Sequence, residues 1–167
     1  SFNEIKPGEN FELFDDSFFD KDYEKEFKKN RLINHVILLK ELDATKYAKD
    51  ILKHLASLNV EKGSEVLAAK LSTQVGRYDF AIQISKQASY GKRFYNKYNY
   101  PIIATPKEIN NKVMPKSEVV LAIIRQESEF DSKANSWAGA RGMMQLMKYT
   151  AKIVAKEAKL PYSISRL

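Results

Sequence analysis

Apolar positions recur along much of this chain at the 3.6-residue period of amphipathic helices. Over residues 25–41, Phe27, Leu32, Val36 and Leu39 fall near helical spacing among Lys, Glu and Leu, which favour helix, and Leu42 continues the pattern. Asp43 or Thr45 can cap a second helix that places Ala48, Ile51, Leu52, Leu55 and Leu58 on one face and ends near Asn59. Residues 65–74, with Val66, Leu67, Ala69 and Leu71 among them, make another turn-rich stretch, and Gly76 breaks it. Over 78–88, Ala81, Ile82, Ile84 and Ala88 suit close helix packing. Short links between short helices predict an antiparallel helical hairpin array over 25–93. It has no repeated consensus string, so an irregular array describes it better than a true solenoid.

The ends of this array differ from it in kind. Residues 1–24 mix Phe with acids, Pro7 and Gly8 without a clean period, and predict an arm lying on another surface. Residues 94–114 predict a connector. Phe94, Tyr95, Tyr98 and Tyr100, with Tyr90 just before them, stand among Asn and Lys, and Pro101 and Pro106 interrupt the stretch. Aromatics interleaved with bases can stack on single-stranded nucleic acid. No nucleic-acid motif accompanies this cluster, and burial between two helical bodies explains it better. Pro115 and Ser117 then form a good helix start before EVVLAIIRQESEF, whose apolar residues fall on nearly all sides and predict a central, buried helix.

Composition narrows the class. The chain has 167 residues, 44% hydrophobic and 29% charged, with six Gly and five Pro, which excludes collagen-like, disordered and low-complexity readings. The longest apolar run, residues 119–124, is far short of the roughly 20 residues of a membrane helix, so no membrane span is predicted. The absence of Cys excludes disulfides and thiolate zinc sites. The formal net charge of +7 is uneven, because residues 1–29 hold nine acids and five bases and the remainder carries about +11. Such a surface favours polyanions: nucleic acid, anionic lipid or a carboxylate-bearing polymer. Ser1 in place of Met, with no apolar leader, is what a processed chain would show.

Candidate chemistry centres on Glu127. Its neighbours one turn away are Ile123, Ile124, Phe130 and Asp131, none of them a cation. A carboxyl on an apolar stripe is expected to have its pKa raised by desolvation, as a general acid requires near neutral pH. From this helix alone, a solvent-exposed helix end, or a pairing with a distant Arg, is the better account of one helical carboxylate. The following string, DSKANSWAGARGMMQLM, changes that balance: Gly139 and Gly142 bracket a turn, and Met143, Met144, Leu146 and Met147 surround a single amide, Gln145. The methionines suit core filling. A buried amide must find partners, and the acetamido group of a ligand would serve.

The string RQESEFDSKANSWAGARGMMQLM resembles the signature of the soluble lytic transglycosylases, bacterial enzymes that cleave peptidoglycan glycans. Glu127 and Ser128 match the family's Glu-Ser pair and Ser136 its following Ser. Gly139, Ala140, Gly142, Met144, Gln145, Met147, Thr150 and Ala151 match its second motif. Met143 replaces the usual Leu, and Lys148 stands where Pro is usual. Tyr100-Pro101 resembles the joint between the family's superhelix and its lysozyme-like catalytic domain. The resemblance implies an all-α fold: the end of a helical superhelix or hairpin array joined to the first part of a lysozyme-like α domain at 115–167. Forty residues follow Glu127, and the family's later Asn/Gly and Ala-Tyr-Asn-Ala-Gly-like motifs and active-site Tyr are not among them, so the chain reads as a fragment with an incomplete catalytic domain.

The resemblance further implies cleavage of the β-1,4 bond between N-acetylmuramic acid and N-acetylglucosamine without water, giving 1,6-anhydromuramoyl products. Glu127 would be the single catalytic carboxyl; Glu129 and Asp131 are second acids only on paper. Ser128, Ser136 and Gln145 would bind polar groups of the substrate, and Met147 would line a sugar subsite. No cofactor and no metal are implied. Peptidoglycan strands are the implied partner, together with proteins of cell-wall synthesis or remodelling, in the bacterial periplasm, with no nucleic acid. Two other readings stay open: a goose-type lysozyme-like hydrolase in which water attacks, and a catalytically incomplete helical scaffold that binds murein or a protein partner.

Overall fold

A computed structural model describes residues 17–109 and 111–164. The described residues are all-α apart from one two-residue hairpin. In order they form α1 (Lys21–Lys28), α2 (Arg31–Glu41), a 3-10 turn (Thr45–Ala48), α3 (Lys49–Ser57), a second 3-10 turn (Val60–Lys62), α4 (Ser64–Gln74) and α5 (Tyr78–Tyr90). These are followed by α6 (Asn96–Asn99), β1 (Glu108–Ile109) paired antiparallel with β2 (Lys112–Val113), α7 (Ser117–Ser128) and α8 (Lys148–Glu157).

The helix expected over 25–41 is two helices. Asp20 caps the first, its Oδ1 accepting from the backbone N–H groups of Asp22 and Tyr23 at 2.8 Å. Residues 21–24, expected in an arm, are thus the first turn of α1, and the rest of that arm up to residue 16 lies outside the described residues. Asn30, with extended backbone, accepts from Leu32 N–H and starts α2 in a new direction. Local capping overrides a hydrophobic period that runs through both segments.

The helix buried on nearly every side is α4. Ser64 through Ala69, Leu71 and Ser72 are all buried, and α4 packs on α3 and α5. Its hydroxyls are satisfied by backbone: Ser64 donates to Ala56 O and Ser72 to Ala68 O. Its carboxylate, Glu65, receives two N–H bonds from Arg93 at 2.9 Å and the Tyr95 hydroxyl at 2.7 Å. Within the connector, Tyr95 and Tyr98 are therefore core residues, as burial predicts, while Tyr90, Phe94 and Tyr100 are exposed. The connector is also more ordered than a linker, holding α6 and the hairpin.

The expectation of a central, buried helix after Pro115 is not met. In α7 only Ile124 is buried, whereas Val119 and Ile123 are 51% and 42% exposed. A single face of α7 meets the array, through a small core of Ile82 from α5 with Ile124 and Phe130, flanked by Tyr78, Ile103, Val120, Leu121 and Met143. Apolar residues on all sides of a helix indicate burial only where neighbours exist on all sides. Among the described residues, α7 has them on one.

Two predictions follow from the array. Gly63 begins α4 with φ +89°, and a Cβ there would stand 2.6 Å from Phe19 Cβ and 2.8 Å from the Phe18 carbonyl oxygen. Gly63→Ala is expected to lower stability by about 2 kcal/mol or more, from left-handed strain plus displacement of the 18–19 backbone, measured by urea unfolding. Burial, and then the hydrogen bond to Glu65, push the Tyr95 phenol well above its ordinary pKa, and hydrogen bonding to Glu65 holds Arg93 charged. The unfolded chain thus releases the tyrosine proton first, near pH 10, so this contribution to stability is complete below that pH and is lost as pH rises beyond it. Alkaline unfolding followed at 295 nm should show a tyrosine component that ionises only with unfolding, and Tyr95→Phe should reduce that component by one tyrosine.

Candidate active site

The segment carrying the signature is held to the array at the C-terminal end of α7. Glu129 and Phe130 both take left-handed backbone, φ 53° and 68°, which ends the helix abruptly. The turn buries the Phe130 ring against Tyr78, with centroids 6.2 Å apart and tilted at 48°. It also aims the Glu129 carboxylate at the array, where Lys86 of α5 meets it at 2.6 Å. Arg125, one turn earlier, donates to the Asn99 backbone oxygen at 2.9 Å and to Asn99 Oδ1 at 2.7 Å, lies 5.7 Å from the Tyr100 ring centroid and reaches Glu129 at 3.5 Å. Glu129 is therefore a structural ion-pair partner.

Glu127 lies on the opposite, open face. It is exposed and lines a hollow of about 500 Å³ with Glu118, Val119, Ala122, Ile123 and Gln126, all on α7. The burial expected for this carboxyl on the apolar stripe is not met, because the stripe itself is exposed there. A second hollow, of about 460 Å³, lies between α7 and the connector, lined in part by Tyr100, Ile102, Leu121 and Arg125. It shares Glu118, Ala122 and Gln126 with the first.

Ser128 connects α7 to the second motif. Its hydroxyl donates to Met143 O at 2.8 Å, so the residue beside Glu127 is tied to the Met-Gln loop. That loop is a compact double turn. Ser136 N–H bonds to Ala140 O, and Ser136 Oγ accepts from Ala140 N–H, both at 2.9 Å. Arg141 and Leu146 exchange backbone hydrogen bonds at 3.0 and 3.1 Å. Gly139 and Gly142, with φ 86° and 74°, make the reversals that the sequence suggested.

Gln145 also has left-handed backbone, φ 46°, and its side-chain amide N–H groups bond to Gly142 O at 2.9 Å and Ala134 O at 3.3 Å. The partners expected from a ligand's acetamido group are supplied on the donor side by the loop's own backbone; neither contact uses Oε1. Ser136, Gln145 and Met147 do not line the hollow beside Glu127. Met147 is 46% exposed and caps α8 without a side-chain bond, so it and the exposed Met144 are not core filling. Lys148 occupies the first helical position of α8, where the usual Pro would also fit, so this departure leaves the turn intact.

Sequence reasoning missed Lys86, Arg125 and Asn99. A Lys 43 residues from its carboxylate partner gives no signal in a single sequence. Among the described residues, no group of three His, Asp or Glu is placed to hold a metal, and no helix is long and apolar enough to cross a membrane.

Comparison with known proteins places this segment. Residues 105–166 match the transglycosylase SLT domain family. Over 42 residues the chain is 52% identical to a Haemophilus influenzae protein named "Putative soluble lytic murein transglycosylase", an overlap that spans 25% of this chain and 7% of that protein. The fold superposes with a TM-score of 0.65 on an inactive mutant of the lytic transglycosylase Slt from Pseudomonas aeruginosa, with 25% identity, covering 90% of this chain and 24% of that one. The chain thus spans about a quarter or less of the length of the relatives it matches. The resemblance read from the sequence is borne out: residues 105–166 match the transglycosylase SLT domain, and 90% of the chain shares the fold of part of a lytic transglycosylase.

Proposed function

We propose that this chain serves peptidoglycan cleavage as a lytic transglycosylase in the bacterial periplasm, with Glu127 as its single catalytic carboxyl. The observation that carries the reading is the position of Glu127. It is the acid of the Glu-Ser pair on which the sequence resemblance rests, it lies on the open face of α7 within the segment similar to the SLT domain, and its neighbour Ser128 is bonded to the Met-Gln loop. Of the two other acids weighed from the sequence, Glu129 is paired with Lys86, and Asp131 accepts from Lys133 N–H in a turn.

The chemistry needs one carboxyl. Protonated Glu127 gives its proton to the oxygen linking the muramoyl C1 to the next N-acetylglucosamine, and the C1–O bond breaks. The substrate's own acetamido oxygen meets the positive charge at C1, so a second protein carboxylate is unnecessary. The Glu127 carboxylate then takes the proton of the muramoyl 6-hydroxyl as O6 bonds to C1, closing the 1,6-anhydro ring without water. A glycan laid along the α7 hollow would itself exclude water from Glu127, supplying on binding the burial that the free chain lacks. Ser136 and Gln145 set the shape of the adjoining loop, and a glycan reaching past the α7 hollow onto that loop would meet Gln145 Oε1, Ser128 and Met147. The positive body of the chain favours a polymer bearing stem-peptide carboxylates. Proteins of cell-wall synthesis or remodelling are the matching class of protein partner.

A second reading draws on the exposure of Glu127: murein binding by this chain without turnover. Mass spectrometry of the soluble products released from purified sacculi separates the readings. Anhydromuramoyl ends, lost by about 10³-fold or more in Glu127→Gln, are expected for the transglycosylase, a loss on the scale of a removed essential acid. Reducing ends would make the chain a goose-type hydrolase, and binding to sacculi without products would support the second reading. Ser128→Ala should lower stability by about 1 kcal/mol through loss of the bond to Met143, seen as a reduced thermal midpoint.

A further inference from the structure

Away from α7, the array holds a groove of about 560 Å³ between α3 and α5, within the size range of small-ligand sites. Its floor is apolar, made by Ala56, Val60 and Ile84. Its walls are two facing helix edges of a different character. Lys53 and Ser57 stand one turn apart on α3; on α5, Gln83 and Gln87 form one such pair and Lys86 and Tyr90 another. The Tyr90 side chain is 79% exposed at the rim although it closes a helix of the array core.

The groove also has a charge sign. Its one lining acid, Glu65, is spent on Arg93 and Tyr95, and Lys86 is paired with Glu129, which leaves the Lys53 ammonium group to set the field at the rim. An apolar floor with an exposed aromatic ring offers a surface for the C–H faces of a sugar. Two primary amides and a hydroxyl offer donors and acceptors for its hydroxyl and acetamido groups. The ammonium groups offer partners for carboxylates. Lipid would leave the amides unpaired, and a neutral glycan would leave the Lys53 ammonium unused.

We propose that the α3–α5 groove is a second binding site for a carboxylate-bearing glycopeptide, an amino sugar carrying an acidic peptide, held apart from the Glu127 hollow. The choice of ligand rests on the peptidoglycan reading above. Lys86 gives the site a connection to α7, because the same ammonium pairs with Glu129, two residues beyond Glu127. A ligand carboxylate at Lys86 competes with Glu129 for it, which leaves Glu129 with Arg125 alone.

The test is an amide NMR titration of the 167-residue chain with a soluble disaccharide-tetrapeptide from murein, alongside a neutral chito-oligosaccharide and the free tetrapeptide. The disaccharide-tetrapeptide should shift Lys53, Gln83, Gln87 and Tyr90, with a smaller shift at Glu129. Affinity at this site should fall about fivefold or more in Tyr90→Ala and in Lys53→Glu and be retained in Tyr90→Phe, with thermal midpoints unchanged. Equal affinity for the free tetrapeptide or for the neutral glycan would overturn the proposal, as would shifts confined to α7. That last result would leave the Glu127 reading standing. Groove shifts in a protein that yields no cleavage products and no α7 response would keep the groove and remove the Glu127 reading.

Discussion

The placement of Glu127 depends on one small apolar contact: Ile82 of α5 against Ile124 and Phe130 at the end of α7. The three residues are buried, and they are the core that the signature-bearing segment shares with the array. Their burial fixes the rotation of α7 about its axis. With Ile124 turned inward, Ile123 and Glu127, four residues apart, share the outward side. Burial of Phe130 is reached through two successive left-handed residues, a strained path that the Tyr78 and Ile82 contacts offset. Polar groups then pin the same joint. The Lys86–Glu129 pair and the Arg125–Asn99 bonds ring the apolar contact and select one register, though partly exposed ion pairs add modestly to stability.

The array supplies that joint with a rigid base because its central helix has every polar group answered. Helix α4 is buried on nearly all sides and carries two serines and a glutamate, each with an internal partner. Glu65 uses partners from beyond α5, Arg93 and Tyr95, so the start of the connector is locked to the middle of the array. Asn99 and Tyr100, which receive Arg125, follow directly from that lock. A chain of contacts therefore runs from the α4 core through the connector to the helix that bears Glu127.

The loop after α7 contributes shape more than contact with Glu127. Ser136 and Gln145 spend hydrogen bonds on their own backbone, which holds a turn with Gly139, Gly142 and Gln145 in left-handed conformation. The link from this loop to Glu127 runs through its neighbour, by the Ser128 bond to Met143. Charge and aromatic groups left at the array surface belong to a different face, where Tyr90 and Lys53 flank the α3–α5 groove.

The hydrophobic period marked the array helices that bury one stripe, such as α3, because sequence spacing records a stripe directly; α4, buried on nearly all sides, leaves no such stripe. The two glycines marked the turn at Gly139 and Gly142, whereas burial expected for the whole aromatic cluster holds for Tyr95 and Tyr98 and not for Tyr90, Phe94 and Tyr100. The Glu-Ser pair and the Met-Gln string carried the family resemblance, which the comparisons bear out. Local capping at Asp20 and Asn30 was present in the sequence but masked by a period that runs through it. What only the tertiary structure decided is which sides of α7 have neighbours. An all-round apolar helix can be central or half-covered, and burial is a property of what packs around a residue. The same reason hid Lys86, Arg125 and Asn99: pairing across 43 and 26 residues depends on where the array and the connector bring the chain back.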